Sequence, residues 1–185
     1  MKAKHDEVKI TRKQFINMQN SDGLTSLHFS GFRGSIKMIK FLTRKGASPA
    51  LKDNQGRTVL HVSTQSDEVA SIYYFVKHHN LDINEQDNNK STSLHWAAIG
   101  QKEVSLTYLI AWGAKVNIKD TDGNTPLHLA VRSTVSTNTR CIKILLLKGA
   151  NRGERNISDY LPIQMIQESF DQKELNQVLS PPNYC

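Results

Sequence analysis

The chain has 185 residues, of which 38% are hydrophobic and 22% charged, and its formal net charge is +7. This composition suits a folded protein, and no apolar run reaches the length of a membrane-spanning helix. The N-terminus lacks the apolar segment of a secretory signal, and Cys141 and Cys185 have no motif spacing. We therefore expect no disulfide framework and a cytoplasmic location, which includes the cytosolic face of a membrane or a larger complex.

The pair Leu-His recurs along the chain, ending at residues 28, 61, 95 and 128, so the steps are 33, 34 and 33 residues. A constant step of this size indicates a repeat array. Each copy has a threonine in position to cap a helix, and the fourth adds a proline at the first helical position. The repeated structural positions are Thr25, Leu27, His28, Thr58, Leu60, His61, Thr92, Leu94, His95, Thr125, Pro126, Leu127 and His128.

The Thr-Pro-Leu-His core of the fourth copy resembles the ankyrin repeat. The agreement continues at later positions of the unit, in Gly46-Ala47, Ile83-Asn84, Gly113-Ala114, Val116-Asn117 and Gly149-Ala150. The resemblance implies an all-α ankyrin-repeat solenoid, built from stacked helix-turn-helix units with β-turn fingers. In such a solenoid the core is a ribbon that runs along the stack.

The units are expected in a fixed order along the chain. They are an N-terminal cap or truncated half repeat at 1–19, repeats at about 20–52, 53–86, 87–119 and 120–155, a degenerate C-terminal cap at 156–180 and a tail at 181–185. The first unit is inferred because residues 16–23 copy the spacing of residues 116–123. The first helix of the first full repeat is predicted over 26–32.

Three repeats depart from the pattern. In the second, Val59 replaces the proline and the run His78-His79-Asn-Leu-Asp replaces the Gly-Ala end. The fourth repeat has three more residues between its helices than the first and third, and these fall in a polar loop over 133–139. The third repeat has Lys90 where the turn glycine is expected. Either its finger is distorted there, or Asn89 takes the unusual backbone conformation.

The repeated histidines are interpreted as structural. A neutral imidazole between a turn and a helix can donate to one backbone group and accept from another. Successive copies lie about 10 Å apart in a helix stack, which is too far to share a metal ion. No catalytic or phosphate-binding motif is present, and the aspartates at 53, 87 and 120 occupy turn positions. We therefore expect no enzyme activity, no cofactor and no metal.

The family resemblance implies a concave face, formed by fingers and first helices, that binds protein partners. The positions it assigns here are Phe32, Arg33, Asn54, Gln55, Arg57, Gln65, Asn88, Asn89, Trp96, Ile99, Thr121, Asp122, Asn124 and Arg132. Because interface energy concentrates in aromatic and arginine anchors, Phe32, Arg57 and Arg132 are favoured among them.

Trp96 has two interpretations. Its ring forms the wall of a pocket for a proline or aliphatic side chain of a partner. Alternatively, it packs between neighbouring first helices in place of a leucine, and this second interpretation is favoured.

The resulting functional hypothesis is a non-catalytic protein-protein interaction module, a scaffold or adaptor, with no small-molecule substrate and no direct membrane insertion. An alternative comes from residues 94–98 and the fourth repeat, which resemble the ankyrin domains that precede DHHC-type protein S-acyltransferases and recruit their substrates. Nucleic-acid binding through a basic surface is a remote third hypothesis, because the basic residues are interpreted as scattered, although Lys37, Lys40, Arg44 and Lys45 share one predicted helix.

Overall fold

The structure, a computed structural model, describes residues 11–134, 138–166 and 177–179. Apart from one isolated bridge between Gln19 and Thr25, the regular secondary structure of these residues is helical. The helices are α1 Arg12–Ile16, α2 Ser26–Phe32, α3 Ile36–Arg44, α4 Val59–Gln65, α5 Val69–His79, α6 Ser93–Ile99, α7 Glu103–Ala111, α8 Pro126–Arg132 and α9 Arg140–Leu147, followed by a 3-10 helix, Pro162–Met165. The all-α prediction is confirmed.

The helices stack in two rows. Helices α2, α4, α6 and α8 pack one against the next and form an inner row, while α3, α5, α7 and α9 form an outer row behind them. Each inner helix also packs on the outer helix that follows it in the chain. The fully buried side chains, such as Leu94, Leu106 and Ile142, lie along the seam between the rows. The ribbon-like core expected of a solenoid is therefore present.

Each inner helix begins with the same capping contact. The backbone N–H of the threonine donates to Nδ1 of the histidine three residues later, at 3.1 to 3.2 Å in all four repeats. The threonine hydroxyl lies 2.9 Å from the same nitrogen. This is a capping box in which an imidazole takes the place of the usual Glu or Gln. The histidine is therefore part of the helix start rather than a free functional group.

The other ring nitrogen reaches the next repeat. The Nε2 atom of each of three histidines lies close to a backbone carbonyl oxygen. The pairs are His61 with Ser91 at 3.1 Å, His95 with Asn124 at 3.2 Å and His128 with Tyr160 at 3.1 Å. Because Nδ1 accepts from a backbone N–H, Nε2 carries the proton and donates it to the carbonyl. The imidazole is neutral in this arrangement, and it connects two repeats.

Consecutive fingers are also joined to each other. One backbone N–H of each finger donates to a backbone carbonyl oxygen of the preceding finger. The donor and acceptor pairs are Asn54 and Asp22 (3.0 Å), Asn88 and Gln55 (2.9 Å), Thr121 and Asn89 (2.9 Å), and Ile157 and Asp122 (2.9 Å). Within a finger, one aspartate carboxylate oxygen accepts two backbone N–H groups, for example those of Gln55 and Arg57 on Asp53. The fingers therefore form one hydrogen-bonded ladder along the edge of the stack.

The third finger corrects the expectation about Lys90. Lys90 itself adopts a positive φ of 55°, and its N–H donates to the Asp87 carbonyl at 2.9 Å. Gly56 makes the equivalent bond to Asp53 at the same distance, with φ of 76°. The finger is thus not distorted, and Asn89 is not the residue in the unusual conformation. The hydrogen bonds within this finger hold a lysine in a backbone region that normally favours glycine.

The incomplete first unit makes contacts typical of a repeat. The Asn17 side chain accepts from the Ser48 N–H at 2.8 Å and donates to the Gly46 carbonyl at 3.0 Å. Asn117 makes the same pair of contacts to Asn151 and Gly149. Helix α1 consequently lies beside α3 at the start of the outer row. Residues 1–10, residues 135–137 of the expected loop, residues 167–176 and 180 of the expected cap, and the tail at 181–185 lie outside the described residues.

The burial of side chains between the two rows of helices allows us to predict the effect of truncating one of them. Replacing Leu106, which is fully buried, with alanine should lower the free energy of unfolding by about 2–5 kcal/mol, because it removes packed methyl groups and leaves a cavity. The matched control is Leu147→Ala on the neighbouring outer helix, where the side chain is 84% exposed and the change should stay within about 0.5 kcal/mol. Urea unfolding followed by circular dichroism measures both, and similar losses in the two variants would contradict the assignment of the seam.

The buried histidines predict a pH dependence. Burial lowers the pKa of His28, His61, His95 and His128, and for His61 it lowers the pKa to about 4. The unfolded chain therefore takes up protons below its ordinary histidine pKa of about 6.5, while the folded chain does not. The stabilisation is complete above that pH and is lost as the pH falls toward 4. For His61 alone the loss is on the order of 3 kcal/mol.

Urea unfolding at several pH values between 7.5 and 4.5 tests this linkage. The variant His61→Gln should lose less stability over the range than the wild-type protein. Gln55→Asn, a change at an exposed side chain that does not titrate, should follow the wild-type curve. An unchanged pH slope in His61→Gln would show that this imidazole is not the neutral group described above.

Candidate partner-binding site

A cavity of about 320 Å³ opens between the third and fourth fingers. It is formed only by fingers and inner-row helices, with α6 on one side and α8 on the other. The residues that line it are Asn89, Ser91, His95, Trp96, Ile99, Asp120, Thr121, Asp122, Leu129 and Arg132. Six of these were assigned to the partner-binding face from the sequence, so the cavity brings that part of the predicted set together.

Trp96 is held in place from two sides. Its indole Nε1 donates to Oδ2 of Asp87 at 2.9 Å, and the Arg57 guanidinium carbon lies 5.5 Å from the ring centroid. Arg57 is fixed in turn by Asp53, whose Oδ2 accepts from Nε at 2.7 Å. The ring is half-buried and forms one wall of the cavity. These contacts favour the first interpretation, in which the ring forms the wall of a pocket, over packing in place of a leucine.

The carboxylates of the fingers differ in the partner of their second oxygen. In Asp53 and Asp87 this oxygen accepts a short bond from Arg57 or Trp96, at 2.7 and 2.9 Å. In Asp120 this oxygen accepts from the Asn124 side-chain amide at 3.4 Å, which is a weak contact. Asp120 therefore retains acceptor capacity at the edge of the cavity.

Arg132 supplies the opposite charge. The residue is half-buried on the cavity wall, and its side chain makes no hydrogen bond or ion pair within the described parts of the chain. The cavity thus presents an unpaired guanidinium, an under-satisfied carboxylate and the apolar surfaces of Trp96, Ile99 and Leu129. Such a combination of apolar walls and a few polar groups is typical of a binding site.

The remaining predicted residues fall into three groups, of which two lie on the surface outside the cavity and the third has structural roles. On the exposed tips of the fingers, Asn54 and Asn88 also donate to the preceding finger, at 2.8 and 3.1 Å, and Gln55 lies beside Asn54. At the C-terminal ends of inner helices, Phe32 and Arg33 are exposed and Gln65 is half-buried, all outside the cavity.

Two predicted residues have structural roles instead. Asn124 is only 2% exposed, and its side-chain oxygen accepts from the Asn156 amide at 2.9 Å, so it offers no surface to a partner. The Arg57 side chain is 15% exposed and ion-paired, so it supports Trp96 rather than projecting as an anchor. Both corrections depend on contacts with another repeat, which the local sequence does not reveal.

Phe29, which was not among the predicted residues, is 50% exposed at the beginning of the inner row. Phe29 follows His28 directly, so it occupies the same repeat position as Trp96 and Leu129. Aligning the repeats on their histidines would have found it. Together with Phe32 it adds an exposed aromatic pair to the inner row, two repeats away from Trp96.

The described residues contain no group of three His, Cys, Asp or Glu side chains that could hold a metal ion. They also contain no helix long and apolar enough to cross a membrane.

The sequence profile of the family "Ankyrin repeats (3 copies)" matches residues 3–87 and 68–156. The two matches together cover more than half of the chain, and the fold agrees with them. The chain therefore belongs to the ankyrin-repeat family, whose fold is a protein-interaction module.

Several relatives are similar over most of the chain. Palmitoyltransferase AKR1 of Lachancea kluyveri is 32% identical over 146 residues, which cover 77% of this chain and 19% of the relative. Probable palmitoyltransferase AKR2 of Saccharomyces uvarum is 36% identical over 198 residues, covering 83% and 27%. Target of rapamycin complex 2 subunit AVO2 of Saccharomyces cerevisiae is 26% identical over 157 residues, covering 81% and 36%. The chain spans about a fifth to a third of these relatives.

The support of Trp96 by Arg57 can be tested spectroscopically. Arg57→Met removes the cation and its ion pair but keeps an aliphatic stem, so the indole should become more accessible to acrylamide and the fold should lose about 1 kcal/mol. The measurement uses a Trp112→Phe background, so that fluorescence reports Trp96 alone. Lys52→Met is the matched control, because Lys52 pairs with Glu85 on the same finger edge without touching the ring. Equal quenching in Arg57→Met and the background protein would contradict the described stacking.

Proposed function

We propose that this chain is a non-catalytic module that binds an extended segment of a partner protein along its inner row and fingers. The observation that carries the proposal is the orientation of Trp96, whose ring is fixed by Asp87 and Arg57 beside an open cavity. A ring that is already ordered loses little conformational entropy on binding, so its contact with a partner contributes more to affinity. Tryptophan and arginine are also the residues most enriched among interface hot spots.

The cavity favours a partner side chain with an apolar body and a polar end. Its body would pack on Trp96 and Ile99, and an N–H group at its end would donate to the under-satisfied oxygen of Asp120. Arg132 would bind a carboxylate or backbone carbonyl of the same segment. The cavity therefore recognises a combination of groups rather than hydrophobicity alone.

The aromatic pair Phe29 and Phe32 extends the proposed contact. These side chains lie on α2, two repeats before the Trp96 helix α6. Inner helices pack about 10 Å apart, so the two anchors are separated by roughly 20 Å. An extended peptide advances about 3.3 Å per residue, so about six residues of a partner would connect them. A segment with two apolar anchors at that spacing fits the proposed face.

Panning a random-peptide phage library on the immobilised protein tests this proposal. The enriched peptides should bind Trp96→Ala at least about 30-fold more weakly than the wild-type protein, and Arg132→Ala about 5-fold or more, because both changes remove central contacts. The matched aromatic control is Tyr108→Ala on the outer row, where the side chain is 46% exposed and affinity should not change. Fluorescence anisotropy with the synthetic peptides supplies the dissociation constants. Peptides that bind both inner-row variants normally, or that lose affinity only with Tyr108→Ala, would contradict the proposed face.

We propose a second candidate because two of the relatives are named palmitoyltransferases. In this candidate the array recruits substrate proteins for an S-acylation reaction performed by residues outside this chain. Sequencing the native transcript tests it. The reading frame should continue beyond codon 185 into several long apolar helices and a cysteine-rich segment with Asp-His-His-Cys. A transcript that stops at that codon would exclude this candidate and leave the binding proposal intact.

A further inference from the structure

The positive charge of the chain is concentrated at one end. Residues 11–50 contain seven basic residues and one acidic residue, Asp22, so this segment carries most of the net charge of +7 of the whole chain. Helices α1, α3 and α5 contain no Asp or Glu. The interpretation of the basic residues as scattered is therefore wrong for the first outer helices, and the clustering follows from their packing side by side.

Large apolar side chains are exposed on the same surface. Phe15 is 70% exposed and Phe41 53%, and both border the same depression beside Lys45, so they form an exposed apolar patch next to several lysines. We define the basic outer face by Phe15, Lys37, Lys40, Phe41, Arg44 and Lys45. It lies on the first helices of the outer row.

The cations of this face lack ion-pair partners. Lys37, Lys40, Arg44 and Lys45 make no salt bridge within the described parts of the chain. Two of them lie near aromatic rings instead, since Lys40 Nζ is 5.8 Å from the Tyr74 ring centroid and Lys45 Nζ is 5.8 Å from that of Phe41. These charges are consequently available to an external anion.

Shallow depressions between these side chains could receive anionic groups. One of about 470 Å³ lies between α1 and α3, and another of about 510 Å³ lies along the exposed side of α3. Phe41 and Lys45 border both. Each depression therefore combines an aromatic wall with at least one cation.

We propose that the basic outer face binds the surface of an anionic phospholipid bilayer. Lipid phosphates and serine headgroups attract clustered lysines and arginines, while phenyl groups gain free energy by entering the boundary between headgroups and acyl chains. A nucleic acid or an acidic protein segment would be attracted by the cations, but it would leave Phe15 and Phe41 largely in water. A bilayer accommodates both kinds of side chain at once.

Further along the outer row, beyond the basic outer face, more aromatic side chains are exposed. Tyr73 and Tyr108 are 49% and 46% exposed, and their rings lie 5.6 and 5.4 Å from that of Trp112, which sits between them. Tyr and Trp are enriched where a protein meets the membrane–water interface, because one end of each side chain is apolar and the other polar. The Trp96 cavity is lined only by fingers and inner helices, so membrane contact through the outer row would leave it open.

The test is co-sedimentation of the full chain with vesicles of phosphatidylcholine alone and of phosphatidylcholine with about 30% phosphatidylserine. The protein should bind only the second kind, and binding should weaken as salt screens the charges. Lys40→Glu combined with Arg44→Glu should reduce the partition coefficient more than about 20-fold, since each basic side chain contributes about 5-fold. Phe41→Ser should reduce it at least about 10-fold through lost apolar burial. Circular dichroism verifies that each variant is folded.

Leu147→Ser is the matched control, because Leu147 is 84% exposed at the opposite end of the outer row. Its partition coefficient should change less than about 2-fold, as expected for a residue away from the membrane contact. A parallel gel-shift assay with single-stranded RNA at the same salt addresses the nucleic-acid outcome. Equal binding to both vesicle types, no binding to either, or RNA binding with vesicle binding insensitive to Phe41→Ser would each overturn the proposal.

Discussion

The stack depends on a neutral histidine at the start of each inner helix. One ring nitrogen accepts the N–H of the capping threonine, and in three of the repeats the other donates to a carbonyl in the following finger or cap. A single uncharged side chain therefore determines where a helix begins and how far away the next unit lies. Because a charged imidazole would lose its acceptor nitrogen, burial that lowers the histidine pKa also preserves the geometry. In a solenoid each unit contacts only its neighbours, so these links are repeated along the whole array.

The fingers show how a repeated frame acquires different chemistry. In each of the last three repeats one aspartate oxygen holds the finger backbone in the same way. The second oxygen accepts a hydrogen bond from Arg57 in the second repeat and from Trp96 in the third. In the fourth repeat the second oxygen of Asp120 accepts only a weak bond from a side-chain amide. The first two arrangements orient the indole, and the third leaves an acceptor at the cavity. The candidate site thus lies where the internal pattern of hydrogen bonds is incomplete.

The two rows of helices have separate surfaces with different compositions. The inner row and fingers carry a mixed polar and aromatic cavity, whereas the first outer helices carry basic and exposed apolar side chains. Because no residue is shared between these surfaces, the proposed protein ligand and the proposed membrane contact do not compete. An elongated fold makes this possible, since both long faces are available along the whole stack.

The sequence by itself determined the architecture, because its signals are local. The first helix of the first repeat was predicted over 26–32 and is found at Ser26–Phe32, since the capping threonine and the turn before it lie within a few residues. The tertiary structure decided what depends on residues about one repeat apart. Asn124 is buried, Arg57 lies over the Trp96 ring, and the basic residues of α1 and α3 lie beside each other because of contacts between such residues. Such outcomes follow from packing between neighbouring units, where a side chain's exposure and partners are set by residues that are distant in the chain.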